Sequence, residues 1–453
     1  MVSKPFALLV LGLTLGAALS QATREDAVML ETDRRLQLPE GWVVEGDSPR
    51  DTMIELVIAV KQTNLAELEK TLLDVSNPKS ENYGKHLSNE QVHALVAPLP
   101  SHVQNVMQFL SEHGLQGHAA TPNSDFIVTT AKVDIAETML APEGYKYQKL
   151  VHKATGHTVH RLRSKGYSLP RRVAESVDLV APTTYVPTIR AARETPKSKP
   201  FSAPDGLLNV PQNLRALYGV GNTDIGKAAS LQAVTGFIGQ TYAESSLAAF
   251  YKYFCGANQS FTCGMNNNAS AVECKGDACA GSGGVEAMLD IEYITAMGSG
   301  IPTQFWGFSG HNPYAPQQEP FLKWLYTVGN TSDAAVPKLF STSYGEDESE
   351  IPLAWSERTN VEFQKCGTRR RVWFGICICR SKRSTSMQAR RKRACTLGLP
   401  DFSCRTKLCR AVVCVCVCVL CLVYVCVCLC LCLCLCLSLR ADRATRKMRG
   451  NAV

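Results

Sequence analysis

The chain has 453 residues, long enough for two or three domains. Its net charge of +8 is unevenly placed: from Cys366 onward 18 Lys and Arg face 2 Asp and Glu, whereas residues 1–365 carry 30 against 38. The body is mildly acidic, so a nucleic-acid function would have to rest on the tail alone, and none is expected.

Residues 1–20 read as a secretory signal peptide, with Lys4, an apolar run from Phe6 to Leu19 and a small-residue cleavage site at Ala18-Leu19-Ser20. The mature protein then folds in an oxidising compartment. Residues 50–185 read as an α+β unit. Ile54–Val60 and Asp125–Thr130 are strand runs. Leu65, Leu68, Leu72 and Val75 make one helical stripe; Val103, Val106, Met107 and Leu110 make another, with Ser101 as its expected N-cap. Eight of the chain's nine histidines lie in this unit, scattered as surface or packing residues. Residues 181–205 carry five prolines among Thr, Ser, Arg and Lys, the composition of an extended, protease-accessible linker.

From Val210 strands and helices alternate: strands at Leu231–Gly239, Pro302–Phe308 and Val336–Tyr344, helices from Ser245 or Ser246, over 281–298 and over Pro320–Val328. That order predicts a doubly wound, mostly parallel sheet. Cys255, Cys263, Cys274 and Cys279 sit in a polar insertion; without a CxxC pair or a nearby histidine they read as two disulfides rather than a zinc site. Asn258, Asn268 and Asn330 open N-glycosylation sequons.

Within Gly283–Tyr293 a glycine-rich loop enters a helical segment that places Glu286 and Asp290 on one face, four residues apart. Two acids at that spacing make a solvated face, or, if buried together, a pair that shares a proton and can serve as a base in acid. The block Gly-Val-Glu-Ala-x-Leu-Asp resembles a signature of the sedolisins, the serine-carboxyl peptidases, and in particular their tripeptidyl-peptidase branch. Ser343-Tyr344-Gly345 with the acids that follow, Glu319-Pro-Phe-Leu-x-Trp-Leu325, and Asn77-Pro-x-Ser-x-x-Tyr-Gly-Lys-His-Leu87 resemble further blocks of that family, over about Leu56 to Lys365.

The resemblance implies a subtilisin-like α/β fold, incomplete here, behind an α+β propeptide that chaperones folding and covers the site until acid releases it. It divides the chain into a signal peptide (1–20), a propeptide with its linker (21–200), the first part of a peptidase domain (201–365) and a tail (366–453). It implies Glu286 as general base, Asp290 as its partner, the protein's own propeptide and peptides or unfolded proteins as partners, and calcium. The Gly-Thr-Ser-Ala nucleophile block, the Ser-Gly-Asp oxyanion block and the aspartate-rich calcium loop of the family do not occur in this sequence. The expectation is a secretory or lysosomal acid peptidase precursor that removes tripeptides from free N-termini, inactive as this chain stands, with an exposed sheet edge where later strands are missing.

The tail alternates Cys with Val and then with Leu over Val413–Leu437, as a translated dinucleotide repeat does, and reads as sequence joined on after a true exon. Its uncharged stretch 411–439 is also long enough to cross a membrane. That leaves an alternative: a membrane-tethered, non-catalytic, prosegment-like binding or inhibitor protein.

Overall fold

The computed structural model describes residues 26–31, 37–187, 210–219, 231–255, 269–344 and 351–369, and the backbone of 373–376. The signal peptide, most of the linker, Cys263, Asn258, Asn268 and the stretch 411–439 lie outside the described residues.

The N-terminal unit contains β1 (Ala27–Leu30), β2 (Trp42–Asp47), β3 (Met53–Val60), α1 (Leu65–Ser76), α2 (Asn89–Leu95), α3 (Pro100–Glu112), β4 (His118–Ala119), β5 (Phe126–Lys132), α4 (Val133–Leu140), β6 (Tyr147–His152), β7 (Thr158–Leu162), β8 (Tyr167–Pro170), α5 (Arg171–Ala174) and β9 (Val177–Ala181). Its main sheet is antiparallel, in the order β4-β5-β3-β9. The apolar run Leu56–Val60 of β3 has a plain cause: both faces of that part of the strand are covered. Ile54, Leu56, Ile58 and Val60 face one core with Val106, Leu110 and Leu140. Val57 and Ala59 face the other way, into a core shared with Trp306, Trp324 and Phe340.

The C-terminal unit contains α6 (Pro211–Leu217), β10 (Gln232–Gly236), α7 (Glu244–Phe254), β11 (Glu273–Gly276), α8 (Val285–Met297), β12 (Thr303–Gly307), α9 (Phe321–Asn330), β13 (Leu339–Thr342), α10 (Leu353–Thr368) and β14 (Trp373–Ile376). Its five strands are all parallel, in the order β11-β12-β10-β13-β14. Alternate residues go to opposite faces. Val234 and Phe305 pack with Leu247, Phe250, Ala287 and Ile291 of α7 and α8. Ala233, Trp306 and Phe340 pack with Trp324, Leu325 and Trp355 of α9 and α10. This is a doubly wound, subtilisin-like α/β layer preceded by an α+β unit.

Several expectations are corrected. Helix α3 is capped by Leu99 with Pro100 in its first position, so Ser101 lies inside it. Helix α7 starts at Glu244 behind Ala243, so neither Ser245 nor Ser246 caps it. The edge of β13 is not open: β14, from beyond the family resemblance, pairs with it from Leu339↔Trp373 to Thr342↔Ile376. Helix α10 was not foreseen because it lacks an apolar stripe; its buried residues include Arg358, Glu362 and Lys365.

Those polar residues join the two units. Lys365 Nζ donates to Asp125 Oδ2 (2.8 Å) and to Glu362 Oε2 (2.7 Å). Arg358 donates to Asp178 (2.8 Å) and to the carbonyls of Val60 and Asp125 (2.9 Å each). Gln62 Nε2 reaches Asp125 Oδ2 (2.6 Å). Burial works against the ionised Asp125, but Lys365 and Arg358 overcome it and hold its carboxyl well below the usual range. Beyond Lys365, Cys366, Thr368 and Arg369 are still buried, and Arg369 donates to Asp333 (2.6 Å) and the Val328 carbonyl (2.7 Å).

Candidate active site

Because all five strands of the second unit run the same way, their carboxyl ends share one edge, the usual place for ligand chemistry in such sheets. Helix α8 begins there, after β11 and a turn through Gly283, whose φ of 83° suits glycine. No side chain of its own N-cap, Gly284, is available for the first amides. Gln240, in the loop after β10, supplies the acceptor instead: its Oε1 receives the Glu286 amide (3.2 Å) and lies 3.4 Å from that of Ala287. A Cβ on Gly284 would fall 2.0 Å from that oxygen, so the glycine leaves room for Gln240.

Glu286 and Asp290 therefore lie one turn apart at the start of α8, as the sequence reading placed them. They differ in setting. Asp290 is well buried; burial pushes its carboxyl up to about 7, a hydrogen bond from Ser343 opposes that, and the charge of Glu286 adds to it. Ser343, one residue past β13, donates from Oγ to Asp290 Oδ1 (2.7 Å). Asp290 Oδ2 is buried with no hydrogen-bond partner among the described residues. Burial also pushes Glu319, which precedes α9, up to about 7. The phenol of Tyr344 is raised by burial and by the charges of Asp290, Glu286 and Glu319, so the three acids share one neighbourhood.

Of the other candidates, Cys274 and Cys279 are joined, with Cα atoms 5.8 Å apart. Cys255 is also disulfide-bonded. Asn330 is at the surface, and its Nδ2 donates to the Ala120 carbonyl of the N-terminal unit (2.7 Å). Sequence alone gives Gln240 and Ser343 no role: Ser343 lies in the Ser343-Tyr344-Gly345 block, whereas nothing around Gln240 signals that it caps α8. Among the described residues no group of three or more His, Cys, Asp or Glu could hold a metal ion.

Residues 40–186 match the pro-kumamolisin activation domain. Tripeptidyl-peptidase 1 of Canis lupus familiaris is 33% identical over 344 residues, and that of Homo sapiens 31% over 343; each alignment covers 75% of this chain and 58% of the relative. The chain is sedolisin-like. It spans just over half the length of the curated relatives it matches. In this sedolisin-like chain the activation domain is the α+β unit docked on α9 and α10, and the acid pair lies in the parallel-sheet unit that follows it.

Proposed function

We propose that the protein is the precursor of a secretory or lysosomal serine-carboxyl peptidase of the tripeptidyl-peptidase type, acting on peptides or unfolded proteins with free N-termini. The observation that carries this reading is the Glu286–Asp290 pair at the carboxyl edge of the sheet, with Asp290 desolvated and raised to about 7. In this reading a carboxyl that stays protonated in acid shares its proton with Glu286, and Glu286 takes the proton of an attacking serine hydroxyl. The attacking serine and the oxyanion aspartate belong to blocks absent from this chain, so the chain itself is inactive: the pair has no nucleophile to activate.

The test has two parts. This chain, acidified, releases no tripeptide from an N-terminally free peptide substrate. A version continued after Lys365 into the family's serine block releases it, and Glu286→Gln in that version lowers kcat by about 10²–10⁴-fold. Intact hydrolysis in Glu286→Gln sinks the proposal. The pairing of β14 with β13 favours a second reading, a non-catalytic prosegment-like binding protein tethered through 411–439. No helix among the described residues is long and apolar enough to cross a membrane. A messenger that runs from the Lys365 codon into the repeat, with no form that splices elsewhere, supports this second reading.

A further inference from the structure

We propose that Ser343 is a positioning residue that decides which oxygen of Asp290 carries the shared proton. This rests on the acid-pair reading above. The geometry is one-sided: the Ser343 hydroxyl donates to Oδ1 at 2.7 Å, and Oδ2 is buried without a partner among the described residues.

A protonated carboxyl has one carbonyl-type oxygen, which accepts, and one hydroxyl oxygen, which donates. A serine donating to Oδ1 makes Oδ1 the carbonyl oxygen. The acid proton is then on Oδ2. Glu286, one turn earlier on α8, acts on Asp290 through its charge and is the carboxylate this proton would reach if the two side chains close up. Ser343 is well placed for the task because it sits directly at the end of β13, held in register by β10, while Asp290 sits on the helix packed over that sheet. The ionisable groups around the pair are Glu286 on its own helix, Tyr344 beside Ser343, and Glu319 ahead of α9. None of these is a cation, so among the described residues no positive charge is seen to compete with Ser343 in fixing the proton.

The experiment follows Asp290 in the full chain labelled with ¹³C-aspartate, by carboxyl NMR shift against pH and by infrared carbonyl stretch in acid. In Ser343→Ala the midpoint rises by about one pH unit, because a donor favours the ionised form and its loss favours the acid. The carbonyl stretch moves to higher frequency as Oδ1 loses its donor. Ser343→Thr restores both values; Ser343→Val, of matching shape without the hydroxyl, behaves as alanine does. Glu286→Gln lowers the midpoint by removing a like charge. An unmoved midpoint and stretch in the alanine and valine variants overturns the role given to Ser343. An unmoved midpoint in Glu286→Gln overturns the shared-proton reading of the site, so the two failures are distinguishable.

Discussion

Two buried aspartates in this molecule have opposite fates. Asp125, between the units, has Lys365 and Arg358 against it and stays ionised. Asp290, at the sheet edge, has one hydroxyl and a neighbouring acid, and is pushed toward its protonated form. Burial disfavours charge in both places; the partners decide the outcome. The consequence is an opposed response to acid. Asp125, with a lowered carboxyl, contributes stability above its unfolded value near 4, and that contribution is lost as pH falls further. Asp290, with a raised one, contributes most in acid and loses that contribution as pH rises from about 4 to about 7.

The strongest way to break this contrast is Lys365→Met. It leaves Asp125 and Glu362 buried with half their compensation, and urea unfolding at pH 7 should show a loss of about 3–5 kcal/mol. Removing Asp290 acts in the other direction. Asp290→Asn keeps an acceptor for Ser343 and relieves a desolvated charge, so stability rises at pH 8 by about 2 kcal/mol and is unchanged at pH 4; a loss at pH 8 contradicts the assignment. Gln240→Ala uncovers the first amides of α8 and should cost about 1 kcal/mol, read from the same unfolding curves.

The smallest expected effect sharpens the comparison at the interface itself. His93 on α2 is buried, with Nε2 3.3 Å from the Gly329 carbonyl of α9, and faces Lys365 and Asp125. Burial and then Lys365 lower its pKa, and Asp125 only partly restores it. A histidine held neutral in the docked state disfavours docking once the free form gains a proton, that is, as pH falls through its unfolded value near 6.5. His93→Gln should therefore move the midpoint of any acid-driven undocking of the N-terminal unit, followed by protease sensitivity of the linker, to lower pH. An unchanged midpoint assigns the acid response to other groups. Among scattered histidines, this one sits where a proton would push on the joint.

The parts of the fold that were legible in the sequence are those where period and burial agree. The double-faced run of β3 and the alternation from Gln232 onward follow directly from apolar patterning. The Glu286–Asp290 spacing was legible because helix geometry alone brings the two together. Helix α10 was not, since its buried side chains include Arg358, Glu362 and Lys365, whose partners in the N-terminal unit are some 180 to 300 residues away in sequence. Gln240 was illegible for a related reason: its contact with α8 exists only once two loops meet at the sheet edge. Polar residues that act across long sequence separations leave no periodic trace.

Arg369 sets a condition on whatever sequence follows Lys365. Its guanidinium answers the Asp333 carboxylate and the carbonyls of Val328 and Thr331, while the carbonyl of Thr368 takes the amide of Leu87. A transcript joined differently at this point would inherit those acceptors at the foot of α9. It must either bring its own donor to the same spot or leave the last turn of α10 loosely moored, so the residue at position 369 decides how firmly α10 is tied to α9 and to Leu87.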